Sequence, residues 1–438
     1  MIETIKKAWK LEDLRKKILF TLFIIVLFRV GAAIPVPFID GGALKELMEP
    51  VTGTGSNNLL GYLNMMSGGS FERATIFALS ITPYINSSII MQLLAVVFPS
   101  LAELSKEGEA GRKKMARYSR YLTVGLAVLQ ATAFYFFLRN SNALAYAKGL
   151  SGFFAAVVII AAFTAGSMLV VWLGEQINQY GIGNGISMMI FAGIVAGLPQ
   201  VVMSFVAHFE LATMGGTNTK YYFFVPLVAV LFLALIWFIV FMNDAERRIP
   251  VQYAKRVVGR KVYGGQSTHM PVKVNMSGVM PVIFASSILM IPGTIEMFAN
   301  PAADSFWGKF FAAFNPTGWV YSILYFILII GFAYFYTAIQ YNPQEMANNL
   351  RKNNGGVPGI RPGKPTAEYL AKIVNRITLI GALFLAVVAL TPTVSAALTQ
   401  MNVSMGGTSI IIVVGVALET VRQIESQMLM RHYKGFLQ

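Results

Sequence analysis

The stretch 81–94, ITPYINSSIIMQLL, sits inside a long apolar run yet holds a proline, an asparagine, two serines and a glutamine. Hydrocarbon offers such groups no partners. The run therefore reads as a membrane-spanning helix with one face turned away from lipid. At about 100° per residue, Ile81, Ile85, Ser88 and Gln92 fall on one narrow stripe.

Outward from this stretch the chain keeps the same character. Of 438 residues, 55% are hydrophobic and 13% charged, against about 25% charged in a soluble domain. Apolar runs of about 20 residues recur throughout. Ten spans are predicted, at about 18–36, 75–98, 120–138, 153–173, 184–206, 222–242, 274–292, 318–340, 373–392 and 408–426. The expected fold class is an all-α integral membrane protein; outer-membrane barrels show short alternating segments instead. The basic start lacks a small-residue cleavage site, so the first span is expected to be retained. Lys and Arg number about 26 on one side of the spans and about 6 on the other. Positive charge stays inside, which puts both termini and the basic loops in the cytoplasm. Part of the net charge of +15 is then contact with anionic lipid.

Several chemistries are excluded. There is no cysteine and only three histidines, none mid-span. No HExxH or GxxxxGK[ST] pattern occurs, so neither a metal site nor nucleotide hydrolysis of that type is expected. The span centres lack Asp, Glu and His, the coupling groups of pumps. No catalytic residue and no cofactor is expected. A passive conduit driven by a partner fits better than an enzyme.

An internal repeat divides the chain. ITPYINSSIIM (81–91) matches VMPVIFASSILM (279–290), five spans later. NGIS (184–187) and GGTS (406–409) are a weaker echo at the starts of spans 5 and 10. Five is odd, so the second half enters the membrane inverted. The halves are 1–206 and 207–438. In span 5, Asn184 and Ser187 precede Ile190 and Ile194 on nearly the same stripe. Spans 2 and 5 thus both carry polar groups toward the cytoplasm and branched apolar groups mid-membrane. That pattern suits a water-filled funnel closing on an apolar ring, which seals by dewetting; helix–helix contacts are the plainer explanation of single serines.

Segment 57–74 (NNLLGYLNMMSGGSFERA) is too short to cross the bilayer. It is either an outer loop helix or a re-entrant piece filling a cavity, and Asn64, Met65, Met66 and Ser67 suit a loosely packed stopper. Two cytoplasmic loops, 243–273 and 341–372, are basic. The first is predicted to form a β-hairpin around Gly264 and Gly265. In the second, Thr366 is expected to cap the following helix, with Glu368 in its first turn. Such loops are docking surfaces for acidic protein or RNA phosphate.

The ordered motifs TPYINSSIIMQLL, GIGNGIS, ERRIPVQYAKR, VNMSGVMPVIFASSI, VPGIRPGKPT and GGTSIIIVVG resemble the SecY family, the pore subunits of bacterial protein-conducting channels. The resemblance covers all ten spans. It implies two inverted five-helix halves around a central pore, passing unfolded secretory chains and releasing apolar segments sideways into lipid. It implies a pore ring of Ile81, Ile85, Ile190, Ile194, Met280 and Ile412, where Met280 departs from the usual branched residue. Segment 57–74 falls at the family's plug, with Leu59, Leu60, Tyr62, Leu63, Asn64, Met65 and Met66. A lateral gate would involve Pro83, Ser87, Ser88, Gln92, Pro281, Ser286 and Ser287. Arg247, Arg248, Arg361 and Lys364 fall where the family docks the SecA ATPase or the ribosome. SecE and SecG are the implied small membrane subunits, and the bacterial inner membrane the implied location. A secondary transporter for a small solute also fits an inverted repeat, but leaves the missing midplane charge and the large loops unexplained. A membrane scaffold leaves the polar stripes unexplained.

Overall fold

The computed structural model describes residues 2–48, 64, 67–146, 149–213, 221–253, 256–258, 261–263, 267–299, 305–314, 318–399 and 406–434. Helices α1 (Ile2–Trp9), α2 (Glu12–Gly31) and α3 (Gly41–Met48) lead to α4 (Thr82–Val97) and α5 (Pro99–Lys106). Then come α6 (Glu109–Asn140), α7 (Gly149–Tyr180), α8 (Gly185–Thr213) and α9 (Tyr221–Asp244). Strands β1 (Glu246–Tyr253), β2 (Arg256–Val258), β3 (Lys261–Tyr263) and β4 (Ser267–Lys273) follow. The chain continues through α10 (Met280–Ala299), α11 (Phe306–Ala312), α12 (Trp319–Gln340), α13 (Pro343–Lys352) and β5 (Gly355–Gly356), and ends with α14 (Lys364–Thr399) and α15 (Gly407–Lys434).

Every predicted span holds a helix, but not all are long enough to cross alone. Among the described residues seven helices have the length and apolarity to span a membrane: α6, α7, α8, α9, α12 (in one continuous stretch with α13), α14 and α15. Helices α4 and α10 carry shorter apolar segments, and α2 begins with Glu12 and Asp13 and ends on Arg29. The span predicted at 75–98 is helical only from Thr82. A proline cannot donate within a helix, so Pro83 sits in the first turn, where that donor is spare. Upstream, Ala74 and Ser80 have positive φ and the chain runs as turns. Irregular backbone survives at membrane depth when protein covers it: Ser70, Thr75 and Ser80 are buried, and the Ser167 hydroxyl donates to the Ser80 carbonyl at 3.1 Å.

Helix α6 packs on α4 and α7, α7 on α8, and α8 on α9 and α15. Helix α12 packs on α10 and α14, α14 on α15, and α10 touches α6. One large apolar core draws on α2, α4, α7, α8, α9, α10, α12, α14 and α15. A second gathers Val36, Leu44, Phe71, Ala78 and Leu79 against α6 and α7, with Phe71 on Phe134 at a ring separation of 4.4 Å.

The two basic loops are one body. Strand β1 pairs antiparallel with β4 on one edge and with β5 on the other. Ile249 and Val251 face inward from β1 and share a core with Leu350, Val357, Leu370 and Ile373. The ladders Glu246↔Lys273 and Arg256↔Tyr263 have a single register, centred between positions 259 and 260. The hairpin therefore turns upstream of Gly264 and Gly265, where the sequence had placed it. Nor does Thr366 cap α14. The helix starts two residues earlier, with Pro365 in its first turn, and the Thr366 hydroxyl donates back to the Arg361 carbonyl at 2.8 Å.

Candidate functional site

Four helices carry the six predicted ring residues, and all six belong to or pack against one apolar core. Ile81 immediately precedes α4 and Ile85 lies in its first turn; Ile190 and Ile194 stack one turn apart on α8. Met280 opens α10, and Ile412 sits in the second turn of α15. The five isoleucines belong to one core and are each at most 8% exposed, and Met280 packs half-buried against it. Their separation in sequence spans most of the chain, so only tertiary packing assembles the cluster.

Glycines set where two of these helices begin. A Cβ on Gly185 would run into the Gly174 carbonyl of α7; one on Gly407 would run into the Val388 and Ala389 carbonyls of α14. Both helices thus start pressed against the span before them, and the NGIS/GGTS echo has a shared physical cause. The Asn184 side chain accepts from the Ile186 and Ser187 amides at 3.2 and 3.4 Å. It is an N-cap, a duty the polar-stripe reading did not foresee. The preceding loop is fastened on three sides. Ile182 N–H donates to Thr21 of α2, Gly183 N–H to Gln423 of α15, and Gly185 N–H to Asn178 of α7.

On the α4 stripe Ser88 and Gln92 are half-buried and joined at 3.3 Å, as one-turn neighbours should be. Ser87 is fully buried and donates to the Ser119 carbonyl of α6 at 2.6 Å. Pro83 and Pro281 each occupy the second position of their helix, so neither kinks it. Ser286 is buried and donates to the Ile283 carbonyl of its own helix, and Ser287 is half-buried.

Of the segment 57–74, Leu59, Leu60, Tyr62, Leu63, Met65 and Met66 lie outside the described residues. Asn64 and Ser67 are not loose. Asn64 accepts from the Glu72 amide and donates to its carboxylate, both at 3.0 Å. The Ser67 hydroxyl donates to the Asn64 carbonyl and accepts from the Phe71 amide. Gly68 touches the ring helix itself: a Cβ there would stand 2.9 Å from Cα of Gly193, which lies between Ile190 and Ile194. Arg29 of α2 donates to the Gly68 carbonyl at 3.3 Å.

Arg247, Arg248, Arg361 and Lys364 are all exposed on the body that the two basic loops form. Arg248 pairs with Glu246 at 2.9 Å; the other three form no ion pair among the described residues. Sequence reading missed how this body is fixed to the pore helices. Arg422 of α15 donates to the Asn243 carbonyl and to the Asp244 carboxylate at the end of α9, beneath the hairpin. An arginine inside one span and an aspartate ending another were the available signals. Asn275 bonds Asn243 at 2.9 Å across the same junction.

A family model described as SecY matches residues 75–421. The protein translocase subunit SecY of Streptomyces coelicolor is 46% identical over 451 residues, covering 100% of both chains. That of Mycobacterium tuberculosis is 43% identical over 456 residues, again with 100% of both covered. A solved structure described as "The structure of a protein conducting channel" has a TM-score of 0.65 at 17% identity, with 94% of this chain and 92% of that one covered. "Sec61 in the Canine ribosome-channel complex from the endoplasmic reticulum" gives 0.61 at 16% identity, with the same coverage. Likeness at such low identity establishes the fold alone.

Proposed function

The chain belongs to the SecY family, and from that premise we propose how its geometry conducts a polypeptide. It is a multi-pass membrane protein and a protein-conducting channel subunit rather than an enzyme. Our reading has ten spans in two inverted halves, 1–206 and 207–438, around a central pore in the bacterial inner membrane, with both termini cytoplasmic. Ile81, Ile85, Ile190, Ile194, Met280 and Ile412 form the constriction. The observation that carries this is their collection, from four helices, into one buried apolar cluster. An apolar ring this tight excludes water and ions at rest, yet holds a passing chain by no specific bond.

Segment 57–74 is the plug. Support comes from the close approach of Gly68 to the backbone of Gly193, between Ile190 and Ile194, and from the Arg29 bond to the Gly68 carbonyl. The lateral gate lies between α4 with α6 on one side and α10 with α12 on the other; the contact of α10 with α6 supports it. Translocation needs an outside motor, since the span centres carry no coupling charge. Arg247, Arg361 and Lys364, which form no ion pair among the described residues, offer cations to the acidic or phosphate groups of SecA or a ribosome. The Arg422 junction passes force from that body to α15, which carries Ile412. SecE and SecG complete the proposed assembly.

The test uses the absence of cysteine. Ile190→Cys, with Leu233→Cys as an exposed control on α9, is combined with a stalled secretory chain bearing one cysteine mid-length. A disulfide at 190 and none at 233 is expected. Crosslinking at 233 but not 190 would move the path off the ring.

A further inference from the structure

Between the cytoplasmic ends of α12 and α14 lies a half-enclosed cavity of about 600 Å³. Nothing in the channel mechanism uses it. Its wall includes Tyr334, Thr337, Ala338 and Tyr341 from one side and Asn375 and Thr378 from the other. Thr337 is 3% exposed and its hydroxyl has no hydrogen-bond partner among the described residues. A buried hydroxyl without a partner is costly, and one lining a cavity is poised for an occupant. The Thr378 hydroxyl is already spent on Val374, and the Tyr334 hydroxyl on the Asn375 carbonyl.

We propose that this cavity binds one anionic phospholipid, its phosphate and glycerol at the mouth and the start of a chain inside. The inference rests on the span orientation proposed above, which puts α12's last turns at the cytoplasmic membrane interface. Two tyrosines at the rim match the interfacial preference of aromatic side chains. Lys372 and Arg376 are exposed on α14 just before and beside the lining residues, and neither forms an ion pair among the described residues. Their charge favours an anionic headgroup over a zwitterionic one. The volume suits a glycerophosphate group and the first carbons of a chain. Tyr341 and Val374 also belong to the core of the cytoplasmic body, so the lipid braces that body against the membrane.

The experiment reconstitutes the full chain in vesicles of phosphatidylcholine with one-tenth phosphatidylglycerol and counts retained lipids by native mass spectrometry. One phosphatidylglycerol per chain is expected to survive gentle detergent extraction, at least threefold above phosphatidylcholine. Ala338→Trp fills the cavity and should remove that adduct. Thr337→Val keeps the shape and should lower it at least threefold, which covers the case where the tryptophan variant misfolds. Equal retention of the two lipids, or an adduct unchanged in both variants, overturns the proposal. In parallel, Leu379→Cys carries a fluorophore on the exposed face of α14. Its quenching by brominated phosphatidylcholine reports that α14 is embedded. Quenching without the adduct refutes the lipid site alone; no quenching refutes the membrane orientation beneath it.

Discussion

In α4 the first serine after the proline, Ser87, donates to the Ser119 carbonyl of α6 at 2.6 Å. In α10 its counterpart Ser286 turns back to its own helix, onto the Ile283 carbonyl at 2.9 Å. The two helices share a sequence pattern and a proline-started first turn, but only α4 is tied to a neighbour through its serine. Helix α10 is held on its α12 side by aromatic packing, with Phe284 edge-on to Phe332 at 5.8 Å. It also touches α6. A repeat fixes the backbone and leaves the partners free.

The largest effect is expected where the repeat is strictest. Gly185→Val and Gly407→Val each drive a side chain into a neighbouring span's carbonyl, at a cost of about 3 kcal/mol or more. Both should abolish accumulation of folded protein, measured by detergent-solubilised gel filtration. Tolerance of one and not the other would break the correspondence between the two helix starts.

Next comes the seal. Ile85→Asn with Ile190→Asn puts amides into the apolar ring and should raise resting ion conductance at least tenfold in planar bilayers. Unchanged conductance would place the barrier elsewhere.

Charge reversal on the body of the two basic loops should act without unfolding. Arg361→Glu is expected to slow export of a secretory precursor more than fivefold at unchanged thermal stability. Arg248→Glu should cost less, because Arg248 already shares its charge with Glu246. Equal losses would show that free charge does not set the docking.

The smallest effect sharpens the serine contrast. Ser87→Ala should destabilise by about 1 kcal/mol, the loss of one buried interhelical hydrogen bond. Ser286→Ala should fall within about 0.5 kcal/mol of wild type, since back-bonding within a helix contributes little. Equal values in a chemical-unfolding series would remove the asymmetry.

Apolar runs and basic loops made the membrane class legible, and each predicted span holds a helix, because hydrocarbon leaves a helix few compositions. The stripe argument found Ile81, Ile85, Ile190 and Ile194 from periodicity; Met280 and Ile412 came from family resemblance. What the residues alone could not give was pairing across the chain. Strand β1 joins β5 across roughly a hundred intervening positions, turning two loops into one body. Asn184 looked like a funnel lining and is a cap, since a polar residue next to a helix start serves either purpose until its neighbours are known. The sequence by itself determined that the chain is a membrane protein and where its apolar helices run, because burial in lipid is decided residue by residue through transfer free energy. Only the tertiary structure decided which polar groups meet, such as Ser87 with Ser119 and Arg422 with Asp244, because a hydrogen bond depends on the position of both partners and each sequence position specifies only one.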